Sequence, residues 1–263
     1  MAKSKIDWCD DTWNPVSGCL HGCPYCYARE FVFRFGLDGT GDVHELAEPV
    51  KGANGKAQAY PFGFDPTFYE YKLDDYAGAK KEGRVIFVCS MADLFGSWVP
   101  DEWITRVFRA CRRAPQHVYL FLTKNPERYG KLNDLGLLPA DQNMFFGCTV
   151  TDEASFDKNM DAMRRGLHFI SNSFISFEPL HGRIRMTDSR IARMNCCEWV
   201  IIGAETGNRL DRIVPERKWM EEIVEARRAP GLPVFMKDNA AQVWGHELIR
   251  EFPGVVNAVK HNR

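Results

Sequence analysis

The chain has 263 residues, of which 45% are hydrophobic and 26% charged, the balance of a soluble globular fold able to bury one large core. A formal net charge of −1 excludes a global basic field that would hold nucleic acid unspecifically, and no apolar run approaches the roughly 20 residues of a membrane span. The cysteines are scattered and the start, Met1 to Asp7, has no apolar core. That pattern argues against a disulfide framework or export signal and for a reducing, cytoplasmic setting without a membrane partner.

In chain order, a short strand is expected before Cys19. It leads into the run Gly18-Cys19-Leu20-His21-Gly22-Cys23-Pro24-Tyr25-Cys26-Tyr27, a C-x3-C-x2-C loop over 18–27. Residues 37–83 are rich in glycine, proline and aromatics, among them Tyr60, Phe62 and Phe64, and have no clear period. A stretch of that length inside a compact domain is usually functional, so it reads as an aromatic-rich insertion or lid over the site. From residue 84 apolar runs alternate with amphipathic stretches. Strands are expected at Arg84–Cys89, Val118–Leu122, Asn143–Val150, Phe174–Phe177, Trp199–Ile202 and Pro233–Met236. Helices are expected at Pro100–Arg113, from Asn125-Pro126, at Asp152–Arg165 closed by Gly166, and at Pro215–Arg228. About seven strands with interleaved helices make an α/β barrel or partial barrel in one domain spanning 1–263. An open doubly wound sheet is the alternative, but its Gly-x-Gly-x-x-Gly turn is missing.

Three thiolates on one tight loop can each take one iron of a [4Fe–4S] cube and leave the fourth iron open. A structural zinc site is the other reading, with Cys9 or His21 as fourth ligand. Zinc sites usually bring their thiols as two pairs on separate segments, and no second pair follows here; Cys196 and Cys197 are adjacent.

In a parallel barrel, chemistry gathers where the strands end, and those positions are polar here. Ser90 and Asp93 follow the strand at 84–89; a hydroxyl and a carboxylate suit an ammonium, or else cap a helix. Lys124 can neutralise a carboxylate or phosphate. Thr149, Glu178, Gly203, Glu205 and the pair Lys237-Asp238 close the later strands. Glu178 and Lys124 are the candidates for catalysis. Cys89 and Cys148 could return a hydrogen atom to a substrate radical, although buried cysteines are more often small apolar residues.

The cysteine spacing, with an aromatic at Tyr25, resembles the radical S-adenosylmethionine (SAM) superfamily. The resemblance implies a partial (β/α)6-type, TIM-like barrel, a [4Fe–4S] cluster on Cys19, Cys23 and Cys26, and SAM as cofactor. It implies reductive cleavage of SAM to methionine and a 5′-deoxyadenosyl radical, and an electron donor such as flavodoxin or ferredoxin. Ser90-x-x-Asp93 departs from the common Gly-Gly-Glu and looks like the variant of spore photoproduct lyase-like members, which assigns Ser90 and Asp93 to the SAM amine. Tyr25, Thr149, Gly203 and Glu205 are the remaining cofactor candidates, with Gly203 near the adenine. The runs Ile6–Pro15, Ser90–Phe95 and Ser176–Leu180 resemble a bacterial and phage-associated group of unassigned reaction. Together these imply a nucleobase, nucleotide or nucleic-acid substrate, with phosphate held by Lys124 or by the clusters Arg109, Arg112, Arg113 and Arg183, Arg185, Arg190, Arg193. A peptide- or small-molecule-modifying enzyme and a non-catalytic zinc or Fe–S nucleic-acid adaptor are the alternatives.

Overall fold

A computed structural model describes residues 6–34, 36, 38–77, 82–207 and 209–261. Seven parallel strands form one curled sheet: β1 (Asp11–Trp13), β5 (Val85–Val88), β6 (Val118–Thr123), β7 (Met144–Thr149), β8 (Ser173–Phe177), β9 (Trp199–Ile202) and β10 (Val234–Met236), side by side in that order. Helices α2 (Asp101–Arg112), α3 (Glu127–Asp134), α4 (Glu153–Gly166), α5 (Asp188–Met194) and α6 (Arg217–Arg228) provide the crossovers. This is the expected α/β partial barrel, and the expected strand ends lie within two residues of the observed ones.

The strands are buried on both faces, so their sequences run apolar without a polar alternation. Alternate residues nevertheless go to different cores, as the period of two requires. Val85, Phe87, Val118, Leu120, Phe145, Phe174, Trp199, Ile201 and Phe235 fill the concave side with Trp8. Ile86, Val88, Tyr119, Phe121, Phe146, Ile175, Phe177, Val200 and Ile202 meet the helices. Trp8 reaches this interior from the segment before β1 and lies against Phe87, ring centroids 4.7 Å apart. Helix α2 opens with Asp101 and Glu102 and closes with Arg109 and Arg112, each charge matched to the helix dipole. Helix α4 begins in a capping box between Asp152 and Ser155, which satisfies two otherwise unpaired backbone donors.

Residues 37–83 carry more order than their composition predicts, although Leu37 and residues 78–81 lie outside the described residues. Strands β3 (His44–Leu46) and β4 (Thr67–Tyr69) join β2 (Val16–Ser17) in a second, three-stranded sheet. Each strand is too short to show a period. Phe68 of β4 is fully buried and stacks on Trp103 of α2 at 5.2 Å, tying this sheet to the barrel. The sequence reading also lacked α1 (Tyr27–Phe33), which starts directly after the cysteine loop, and the C-terminal α7 (Ala241–Trp244) and α8 (Gly254–His261).

Candidate functional site

Parallel strands place all their following loops at one end, and a cavity of about 340 Å³ opens there. That is near the lower end of the range for small-molecule sites, about 300–1,000 Å³. Its floor is apolar, made by Ile6, Trp8, Phe87 and Leu122 of the barrel interior, and its walls are polar. Cys19, Cys23, Tyr25, Cys26, Ser90, Asp93, Lys124, Thr149, Glu178 and Glu205 all line it, so nearly every sequence candidate converges on one space.

The cysteine loop is held from two directions. Gly18 N donates to Met91 O at 2.9 Å and Cys19 N to Phe64 O at 3.2 Å. Gly18 adopts φ +85°, and a Cβ there would lie 2.1 Å from Asp65 O, so the turn needs glycine twice over. Cys26 is the N-cap of α1, its sulfur accepting from Arg29 N at 3.4 Å. Burial, with Asp93 and the two neighbouring thiols adding to it, pushes the Cys19 thiol up to about 12. Three soft sulfur donors lining one cavity are of the type that iron–sulfur clusters take. Among the described residues no three Cys, His, Asp or Glu side chains already close on a metal ion.

Asp93 is only 5% exposed and makes a hub. Its Oδ1 accepts from Thr123 Oγ1 at 2.7 Å and Phe95 N at 3.0 Å; its Oδ2 accepts from Lys124 N at 2.9 Å. The remaining partner is His21 Nε2 at 2.7 Å, which must be the donor because a carboxylate only accepts. Ser90 Oγ bonds Asn14 Oδ1 at 3.2 Å, and its carbonyl accepts from Tyr27 Oη at 2.6 Å. The Ser90–Asp93 assignment to an ammonium therefore meets a carboxylate whose lone pairs are already engaged. Lys124 is different: its Nζ lies 5.4 Å from the Tyr25 ring centroid and, among the described residues, has no ion-pair partner.

On the opposite wall, Glu178 pairs with Lys237, not Lys237 with Asp238 as adjacency suggested; Asp238 pairs with Arg250. Gly203 is packed against this pair. A Cβ there would meet Asn239 Oδ1 at 3.0 Å, and Glu178 Cδ and Lys237 Cδ at 3.1 Å. Its N donates to Phe177 O and its O accepts from Leu180 N, so both backbone groups already have a partner, and the missing side chain makes room for the ion pair. Glu205 accepts from Arg209 Nε at 2.8 Å and faces His181 Nε2 at 2.8 Å. These bonds hold its carboxyl below the usual glutamate range, the Arg209 bond first. His181 in turn meets the edge of Tyr25 at 4.8 Å. Thr149 is buried in the wall, and its carbonyl accepts from Asn159 Nδ2 at 2.8 Å.

Cys89 and Cys148 are buried in the outer core and are absent from the cavity wall; burial raises the Cys89 thiol to about 12. They pack as small apolar residues, the commoner role expected of a buried cysteine. Arg183, Arg185, Arg190 and Arg193 are bound by Glu222, Glu153, Asp157 and Asp161, and Arg112 and Arg113 by Asp141 and Asp74. Among the described residues these six arginines are committed to salt bridges, while Arg109, the remaining member of the clusters, is exposed and bonds only Thr105 of its own helix. Of the three aromatics named as stacking candidates, Phe64 reaches the cavity, Phe62 stacks on His44 at 3.8 Å and Tyr60 lies against Phe31 at 6.2 Å. Tyr27 is a cavity residue that the sequence reading did not place, its signal being the position directly after Cys26; His21, expected only as a fourth zinc ligand, and Lys237, expected beside Asp238, are instead bonded to Asp93 and Glu178.

A family model described as "Protein of unknown function (DUF5131)" matches residues 3–252. No curated protein matches the chain. Among solved structures, a spore photoproduct lyase variant with bound AdoMet and a dinucleoside spore photoproduct is similar, with TM-score 0.50 and 10% identity. That match covers 84% of this chain and 61% of the other, so the chain spans about three fifths of that protein's length. Two further variants of spore photoproduct lyase give TM-scores of 0.52 at 9% and 12% identity. They cover 84% and 92% of this chain, and 74% and 76% of theirs. At these identities the likeness is one of fold, and it agrees with the partial barrel that the radical SAM resemblance implied.

Proposed function

The chain belongs to the DUF5131 family, and from its cavity we propose that it is a radical SAM enzyme acting on a nucleobase, a nucleotide or a nucleic acid. The observation that carries the reading is the meeting of Cys19, Cys23 and Cys26 with Lys124, Glu178 and an apolar floor in one cavity at the strand ends. Cys19, Cys23 and Cys26 would hold the [4Fe–4S] cluster. With SAM bound, the chemistry supplied is one-electron reductive cleavage to methionine and a 5′-deoxyadenosyl radical, the electron coming from a donor such as flavodoxin or ferredoxin.

The chain's own part is to bind, orient and exclude water. Trp8, Phe87, Leu122 and Phe64 keep the inner cavity apolar, which protects a reactive species from solvent. Lys124 receives an anionic group, a carboxylate of the cofactor or a phosphate of the substrate. Glu178 and Lys237 set a fixed acceptor–donor pair beside Ala204 and Thr206, where a polar ring edge can be read. The fold shared with a spore photoproduct lyase structure that binds a dinucleoside supports the nucleic-acid side of the reading.

Anaerobically reconstituted protein is expected to hold about four irons and four sulfides per chain and to lose them in Cys19→Ala, Cys23→Ala or Cys26→Ala. SAM and dithionite should then yield 5′-deoxyadenosine, faster with the right nucleoside or oligonucleotide present. One zinc per chain without Fe–S absorbance would replace the enzyme by a zinc adaptor. Stimulation by peptides alone would move the substrate class.

A further inference from the structure

We propose that Asp93 is a positioning residue for the cysteine loop, acting through His21, and not a ligand of the cofactor amine; the proposal deepens the radical SAM reading and rests on it for what the loop carries. A carboxylate offers about four lone-pair positions, and those of Asp93 are taken by Phe95 N, Thr123 Oγ1, Lys124 N and His21 Nε2. The donors come from its own turn, from the end of β6 and from the loop. An ammonium entering here would have to expel one of them and leave it unpaired beside a residue that is 5% exposed.

The geometry of the loop gives this hub a purpose. His21 sits between Cys19 and Cys23, and its ring edge also rests on Trp98 at 4.9 Å. Between Cys19 and Cys23 no other side-chain hydrogen bond ties the loop to the strand ends among the described residues. Gly22, next to His21, has φ +67°, and a Cβ there would meet nothing within 4 Å, so no neighbour presses on that side of the turn. The bond from His21 to Asp93 fixes the stretch on which two of the three thiols ride. Lys124 N shares the same oxygen as His21, so the hub also registers the loop against the end of β6.

The test is a double-variant cycle of Asp93→Asn and His21→Leu, with Thr123→Val as the comparator that disturbs the other carboxylate oxygen. In metal-free protein, alkylation of Cys19 and Cys23 should quicken about tenfold in each single variant, because a charged hydrogen bond restrains the loop. The double variant should be no faster than the singles, and Thr123→Val should stay near wild type. In reconstituted protein, Asp93→Asn and His21→Leu should share a changed EPR signal of the reduced cluster before any SAM is added, and SAM binding per cluster should be kept. His21 lies at the surface of the hub, so His21→Leu reports even if Asp93→Asn fails to fold. Additive effects in the cycle overturn the proposal. So does an Asp93→Asn protein with a wild-type cluster signal and lost SAM affinity. Failure to bind iron at all overturns the radical SAM reading instead, and the thiol kinetics of the metal-free chain still decide the role of Asp93.

Discussion

Gly18 and Gly22 share a left-handed backbone but differ in what surrounds them. A Cβ on Gly18 would sit 2.1 Å from Asp65 O and 2.7 Å from Phe64 O, whereas Gly22 has nothing within 4 Å. Gly22→Ala is therefore expected to cost only the strain of the conformation, about 1 kcal/mol. Gly18→Ala adds a clash with backbone that cannot move aside, for a total of about 2–4 kcal/mol. Urea unfolding of both variants measures the difference, and equal values would mean that residues 64–65 do not press on the cysteine loop. The cysteines were legible in the sequence because their meeting is local, encoded in a spacing of four and three positions. Their supports were not. His21 finds Asp93 across 72 positions and Glu178 finds Lys237 across 59, and only the barrel closes those distances. Adjacency misled for Lys237 and Asp238, since consecutive residues after a strand point apart.

The strands β5 to β10 of the barrel were legible as elements because both faces are buried, which leaves short runs of apolar residues. Helix α5 (Asp188–Met194) was not, because seven residues bearing Arg190 and Arg193 read as a basic patch until the acidic face of α4 is seen opposite. The loop after β9 is anchored in the same way, by Arg209 and His181 on Glu205, and it has a pH signature. A carboxyl whose folded pKa is depressed contributes stability above its unfolded value, about 4.3, and loses it as pH falls through the lower folded value. Wild-type protein should thus hold this contribution at neutral pH and shed it only in acid below about pH 4. Glu205→Gln should lower the thermal midpoint at pH 7 and flatten its dependence across the acid range. A Glu205→Gln curve parallel to wild type from pH 7 to acid would show that the anchor does not depend on charge.

At the scale of the whole molecule, a net charge of −1 and arginines tied up between elements leave the cavity with few cations for a polyanion. Lys124 is the one on its wall without an acidic partner among the described residues; Lys237 is held by Glu178. Counterion release then limits the salt response. With one or two phosphates neutralised on a single strand, the slope of log affinity against log salt should be about −0.7 to −1.4. Raising salt from about 50 to about 200 mM would weaken binding only about 3- to 7-fold, against a thousandfold or more for proteins with basic grooves. Lys124→Met should flatten the slope by about 0.7. Arg190→Met should leave both slope and affinity alone while lowering stability by about 1 kcal/mol, since its guanidinium serves Glu153 and Asp157. Oligonucleotide titrations of the three proteins at two salt concentrations decide the matter. A wild-type slope steeper than about −4 would require a basic surface that the paired arginines do not supply. A slope of zero that Lys124→Met does not change would assign Lys124 to the carboxylate of the cofactor and leave the substrate an uncharged base.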